Sequence, residues 1–287
     1  MKYKERYFIG DMSKICNISK KALRYYDQIN LIPSQRHDYN NYRYYTRESL
    51  LAVPVIKYYK QMGFTLEEMK EFIEGSAQHI FKSIQHSFRA KIRELEDEQE
   101  KIRRRHVSVK DWYELVREAE MALDNNINEV SIKYVESSAL LFHDQLFEND
   151  LQWSIINLEF TQHVEDVNNE ITGPVIINFS SRKDRIEGMD QNIKMLQKTV
   201  IPCSPENTYE FGGDMMLSCY HLRAHEDIHK TYMKMERWAA NNGYLLSDES
   251  FERYVTDYWT TNNSDKFVTE ILIKCSRHSD QENFNRD

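Results

Sequence analysis

The sequence predicts an α+β multidomain protein with a winged helix-turn-helix head, a long helix that pairs with a partner, and a duplicated α+β body. Three observations predict it. Two short amphipathic helices precede an aromatic-rich hairpin; a strict seven-residue apolar repeat runs through 77–119 without Gly or Pro; and past Asn128 a strand-strand-helix-strand order occurs twice. At 287 residues and 40% hydrophobic composition the chain can build two or three cores, and its 8 Gly and 5 Pro exclude long low-complexity stretches.

In the head, Ile9, Met12 and Ile15 fall at helical spacing, so Ile9 to Cys16 reads as a short helix. Cys16-Asn17-Ile18 is a tight connection, and Ser19 is placed to cap a second helix whose buried face holds Ala22, Leu23 and Tyr26. Pro33 ends this stretch because it has no backbone N–H to give. Such a pair is a helix-turn-helix, and its second helix turns Lys20, Lys21, Arg24, Tyr25 and Gln28 outward, side chains suited to phosphates and base edges. Asp38-Tyr39-Asn40-Asn41-Tyr42-Arg43-Tyr44-Tyr45 sets turn formers between aromatic flanks and predicts the hairpin. Thr46 caps the next helix, with Leu50, Leu51, Val55, Ile56 and Tyr59 inward. Gly63 ends that helix, and Thr65 with Glu68 forms a capping box for another.

Charge is distributed unevenly. Residues 1–75 hold 13 Lys/Arg against 9 Asp/Glu, a balance of +4, so the remainder contributes −12 to the total of −8. A basic head on an acidic body is expected when only one part meets phosphates. Cys16, Cys203, Cys219 and Cys275 stand far apart, with neither metal-ligand spacing nor a disulfide pattern, which fits a reducing compartment. No apolar run reaches membrane-span length, and Met1 to Gly10 lacks the apolar core of a signal peptide.

The segments IGDMSKICNISKKALRYYDQINLI, YRYYT and IKYYKQMGFTLEEMKEFI closely resemble the head of the MerR family over about seventy residues. The resemblance implies that Arg24 and Tyr25 of the recognition helix and Arg43 of the wing contact DNA, with Tyr42 and Lys60 as further backbone contacts. Tyr26 and Tyr44 are expected in the core.

Phe81, Phe88, Leu95, Ile102, Val109 and Val116 form one unbroken apolar line, with charged residues between them at mid-helix. MerR-like proteins dimerise through an antiparallel coiled coil placed here, and a dimer would set the spacing of two half-sites in a pseudo-palindromic promoter. Metal-sensing relatives place cysteines around this helix. No cysteine lies between Cys16 and Cys203, and His79, His86 and His106 are isolated, so no metal or other cofactor is expected.

In the acidic body, Val130–Val135 and Ala139–His143 read as strands, Leu151–Ile171 as a helix and Pro174–Ser180 as a strand. The order recurs as strands Ile193–Pro202 and Met215–Leu222, helix Glu226–Asn241, and strands Phe251–Trp259 and Phe267–Cys275, giving two α+β halves with their sheets side by side. Residues 128–276 resemble the GyrI-like effector-binding group, anchored by Phe251-Glu252-Arg253-Tyr254. In drug-sensing members that glutamate lies at the base of an aromatic cleft and faces cationic ligands. The resemblance therefore assigns Glu252 as the ligand's electrostatic partner and Phe267 as an aromatic contact, with Trp153, Tyr220, Tyr254 and Tyr258 as further wall residues. Read from the residues alone, Glu252 also fits a carboxylate paired with Arg253 or Arg223, and each aromatic also fits a core position.

The expected organisation is a DNA-binding domain at 1–76, a dimerisation helix at 77–120, an effector-binding domain at 127–276 and a disordered tail at 277–287. The expected function is a cytoplasmic, nucleoid-associated bacterial regulator and activator. It would bind double-stranded promoter DNA as a homodimer, engage RNA polymerase, sense lipophilic or cationic aromatic inducers, and have no membrane partner and no enzymatic activity. Alternatives are hydrolysis of small electrophiles by the C-terminal half, or ligand-independent repression.

Overall fold

The computed structural model describes residues 5–37, 42–74, 80–147 and 150–277. The predicted hairpin turn at 38–41, His79, the junction at 76–77 and the tail from 278 onward lie outside the described residues. The chain divides into two compact units, residues 1–101 and 102–287.

In the first unit, β1 (Tyr7–Phe8) leads into α1 (Ile9–Cys16) and α2 (Lys20–Gln28). Asn17 takes the left-handed conformation that closes α1, a role that suits its short polar side chain, and Ser19 caps α2 by accepting from the Ala22 N–H at 3.1 Å. Next, β2 (Gln35–Arg36) and β3 (Arg43–Tyr45) pair antiparallel, Gln35 opposite Tyr44, and β1 joins the other side of β3. Thr46 caps α3 (Arg47–Gln61). The capping box before α4 (Leu66–Glu74) is reciprocal: Thr65 N–H donates to Glu68 at 2.7 Å, and Glu68 N–H donates to the Thr65 hydroxyl at 3.2 Å.

Met12, Leu23, Tyr26, Ile32, Tyr45, Val53, Ile56 and Met69 fill the core of this unit. Two inward assignments fail, since Leu51 and Val55 are exposed. The 3.6-residue period sets the buried stripe of α3 through Val53 and Ile56, and Leu51 and Val55 fall on its far side. Tyr26 is buried as expected, but Tyr44 is only half-buried and donates to Gln35 Oε1 at 2.6 Å. Its neighbour Tyr45 is the interior residue.

The long helix α5 (Ile80–Asp124) is continuous. Of its apolar row, Phe81, Leu95, Ile102, Val109 and Val116 are exposed. Phe88 is the exception: it packs with Tyr59, Phe64 and Phe72, ring centroids 5.0–6.3 Å away, within the first unit's core.

The second unit is built on one sheet, in which the sheets of the two expected halves lie side by side and join edge to edge. Its strands are β4 (Ser131–Val135), β5 (Ser138–Phe147), β6 (Ile171–Phe179), β7 (Gln191–Thr199), β8 (Thr208–Phe211), β9 (Asp214–Leu222), β10 (Tyr244–Leu246), β11 (Ser250–Thr256) and β12 (Val268–Arg277). The main path runs β4-β9-β12-β11-β6-β7-β5-β8, and β10 pairs with β12. This order is symmetric about the β11–β6 junction. The repeat is strand-strand-helix-strand-strand, one strand longer than the sequence suggested. Each repeat gives its first strand away: β4 pairs with β9 of the second repeat, and β8 with β5 of the first. The turn after β8 has room only for glycine, because Gly212 has φ +92° and a Cβ there would run into the Glu136 carbonyl.

The helix expected over Leu151–Ile171 is two helices, α6 (Leu151–Ile155) and α7 (Leu158–Asp166), and Ile171 already belongs to β6. Asn157 makes the break by capping α7, its Oδ1 accepting from the Phe160 N–H at 2.8 Å. A further short helix, α8 (Arg182–Glu187), is capped by Ser181 and stopped by left-handed Gly188. The second repeat carries α9 (Ile228–Asn242). Leu115, Ala119 and Ala122 of α5 pack on Val255 and Val268 on one face of the sheet. On the other face, Ile228, Tyr232, Met235 and Ala239 of α9 pack on Leu217, Cys219, Ile271 and Ile273.

Candidate functional site

The second helix of the head presents Lys20, Lys21, Arg24, Tyr25 and Gln28 to solvent, because Leu23 and Tyr26 take its buried side. Tyr42 and Lys60 are also exposed. Arg43 has a structural partner: its Nε donates to Asp27 at 2.7 Å, and Asp27 accepts from the Ser34 N–H at 2.7 Å. One carboxylate thus fastens the wing strand to the recognition helix. Burial pushes the Asp27 carboxyl up, but the Arg43 and Ser34 hydrogen bonds prevail and hold it below the ordinary range.

The second unit contains a cleft of about 640 Å³, within the size range of small-molecule sites. Phe147 at the end of β5, Leu151 of α6, Arg185 of α8 and Tyr258 after β11 line it, together with His225 and Ile228 at the start of α9. Asp150, Glu187 and Glu226 also line it and are exposed.

Glu252 stands behind Arg185 with no solvent exposure. Arg185 donates through Nε to Oε1 at 2.7 Å and through Nη2 to Oε2 at 3.2 Å, a fork that matches the carboxylate. Tyr232 donates to Oε1 at 2.9 Å and Tyr254 to Oε2 at 2.5 Å. Burial alone would raise the Glu252 carboxyl, but the charge and hydrogen bonds of Arg185 hold it below the carboxylate range. The guanidinium lies against two rings that meet each other edge-on, 4.8 Å from the Phe179 centroid and 5.3 Å from Phe147.

His225 closes this group on the side of the second repeat. Its ring lies 5.3 Å from Phe267 and 5.6 Å from Tyr254, and Phe267 meets Tyr258 edge-on at 4.8 Å. Nε2 is 2.8 Å from the Thr269 hydroxyl, while buried Nδ1 has no hydrogen-bond partner among the described residues. Burial lowers the imidazole to about 4, so it is neutral at neutral pH. Burial pushes Asp257, directly after β11, up to about 6, though it accepts from the Trp259 N–H.

On the opposite face of β11, Arg253 is the next residue in the chain. It donates to Glu270 at 2.8 Å and to Glu118 of α5 at 3.2 Å, and Tyr220 donates to Glu118 at 2.7 Å. The charges of both carboxylates outweigh burial and keep the Arg253 guanidinium raised.

Of the residues assigned from sequence to the ligand site, Tyr258 lines the cleft, and Glu252, Tyr254 and Phe267 lie buried behind its wall. Tyr220 is not among the lining residues and packs toward α5 instead. Trp153 lies in α6, its side chain outside the described residues. The Glu252 partner is Arg185, neither Arg253 nor Arg223. Sequence reading missed Arg185, His225 and Tyr232; the only signal for the first was the Ser181-to-Gly188 cap-and-stop pattern around a short helix. Among the described residues, no group of three or more His, Cys, Asp or Glu could hold a metal ion, and no helix is long and apolar enough to cross a membrane.

Comparison with known proteins adds the context. Residues 8–45 match the profile of the MerR family regulatory protein, and residues 130–275 that of the GyrI-like small molecule binding domain. The Multidrug-efflux transporter 2 regulator of Bacillus subtilis is 22% identical over 290 residues, 94% of this chain and 97% of that protein. The Multidrug-efflux transporter 1 regulator of the same organism is 44% identical over 80 residues, 27% of this chain and 29% of its own length. Among solved structures, EcmrR bound to DNA is 18% identical, covering 94% of this chain and all of its own, with a TM-score of 0.45.

Proposed function

Because the chain belongs to the GyrI-like small molecule binding domain family and carries a MerR family regulatory head, we propose that it is a ligand-responsive transcriptional regulator that binds a pseudo-palindromic promoter as a homodimer. The observation that carries this reading is the joint presence, in one chain, of an exposed Lys20, Lys21, Arg24, Tyr25 helix face and a 640 Å³ aromatic cleft. The exposed apolar row of α5 supports pairing with a second copy, since a polar solvent leaves such a stripe uncovered only at a cost. The regulator acts in the bacterial cytoplasm on nucleoid DNA, as an activator that deforms the promoter for RNA polymerase. Its target is a gene for efflux or detoxification.

Activation in this scheme requires that the inducer bind one conformer of the dimer better than the other, offsetting the elastic cost of deforming the DNA. The inducers are small lipophilic or cationic aromatics, with Tyr258 in contact and Glu252, Tyr254 and Phe267 in the wall behind. Sensing is favoured over hydrolysis of small electrophiles by Glu252 because both of its oxygens are engaged by Arg185, Tyr232 and Tyr254, which keeps that carboxylate from acting as a base. The chain is accordingly a sensor and not an enzyme, and incubation with candidate inducers should return them unchanged. A gel-shift titration with Arg43→Ala tests the DNA arm. Affinity should fall and the salt slope flatten by about one. An unchanged affinity and slope would remove the wing from the interface, and ligand-independent transcription in vitro would favour a plain repressor.

A further inference from the structure

We propose that the inner end of the cleft recognises an uncharged hydrogen-bond acceptor, a carbonyl oxygen on a flat aromatic ligand, through Arg185, while the ligand's outer end carries a cation toward Asp150, Glu187 and Glu226. This rests on the sensor reading above and narrows its ligand class.

The floor of the cleft is electrically balanced. Glu252 receives four donors, two from Arg185 and one each from Tyr232 and Tyr254, so a ligand cation would have to displace one of them to reach it. Arg185 lines the cleft and Glu252 does not, so a cation pushed inward meets the guanidinium first. Removing a cation from water against a like charge is strongly unfavourable. The fork uses Nε and Nη2 and leaves Nη1 outside the carboxylate pair, a donor direction that suits an acceptor. A carboxylate there would gain from Arg185 but face repulsion from Asp150, Glu187 and Glu226. A neutral carbonyl accepts the same hydrogen bond without that repulsion. The rings of Phe147, Tyr258 and neutral His225 supply flat aromatic faces within an otherwise polar lining. The exposed acids then suit a solvated ammonium at the opening.

The test uses the full-length protein, without DNA, in calorimetric titrations with three naphthalenes of one outline. These are 6-(aminomethyl)-2-naphthamide, 6-methyl-2-naphthamide and 2-(aminomethyl)-6-methylnaphthalene. The first should bind roughly tenfold or more tightly than the third, as expected for a hydrogen bond to a charged donor. Its advantage over the second should shrink with added salt and in E187Q/E226Q. R185M/E252Q, which leaves no unpaired buried charge, should reduce the carbonyl advantage to roughly threefold or less, and R185K should retain part of it. The proposal is overturned if the amine without a carbonyl binds as tightly as the bifunctional compound. It also falls if the carbonyl advantage survives in R185M/E252Q, or if E252Q alone abolishes the contribution of the amine. Binding of none of the three also overturns it, while the gel-shift titration decides the broader reading independently.

Discussion

Arg185→Met is the sharpest perturbation of the buried site. It leaves Glu252, which has no solvent exposure, with two tyrosine donors and no counter-charge. The methionine replaces the arginine stem but not the guanidinium that lies against Phe147 and Phe179, so a small void adds to the lost charge. Breaking a buried pair by removing one partner costs about 3–5 kcal/mol. The pH dependence separates this cause from general damage. In the native chain Glu252 is held below the carboxylate range, so its contribution is complete above the unfolded value and is lost as the pH falls through the folded one. Without Arg185, burial prevails and raises the group, so the variant gains from protonation below the unfolded value and loses that gain as the pH rises. The deficit against the native chain should be largest at pH 7 and shrink on acidification toward pH 4. Urea unfolding followed by tryptophan fluorescence measures it, because all 4 tryptophans, at 112, 153, 238 and 259, fall in the 102–287 unit. Adding Glu252→Gln should restore most of the loss. A deficit under about 1 kcal/mol at pH 7, or one that stays constant down to pH 5, would refute a dependence of the carboxylate on Arg185.

His225 has a folded value of about 4 against an unfolded value near 6.5, so stability should decline as pH falls from about 6.5 to 4; a His225→Gln chain should lack that slope in denaturation measured across the window. Glu118→Gln removes a charge that holds both Arg253 and Tyr220, and amide exchange along 112–122 should quicken. Unaltered protection there would mean that the apolar contacts of Leu115, Ala119 and Ala122 fix the helix alone. Ile102→Lys places a charge in the exposed apolar row of α5 and should shift the chain from dimer to monomer in sedimentation equilibrium. A persistent dimer would exclude this stripe from the interface.

The head was legible because its signals are local. Ser19, Thr46 and the Thr65–Glu68 box each act within three residues, and the structure shows all of them. The phase of α3 was misread because apolar residues lie on both sides of that helix, and only packing decides which side is inward. In the body, the duplication was legible from the recurring order of strands and helices, but strand pairing is non-local and left no trace. Nothing in a sequence announces that β4 seeks β9. The same limit hid the centre of the site. Glu252 and Arg185 are 67 positions apart, and Arg185 lies in a helix of six residues, too short for periodicity to reveal. Tyr220 lies on the face packed by α5, which the sequence did not reveal because period-two alternation tells which residues share a face and not which face is which.

The exchange of opening strands between the repeats bears on how the C-terminal half can move. A chain cut between Thr199 and Thr208 would leave each fragment without the strand that seals its outer border, so neither should fold by itself. By the same token, the two repeats meet edge to edge at the β11–β6 junction, so a guest that displaces the short helices around the cleft pushes on one shared sheet and passes stress to whatever rests on its reverse side.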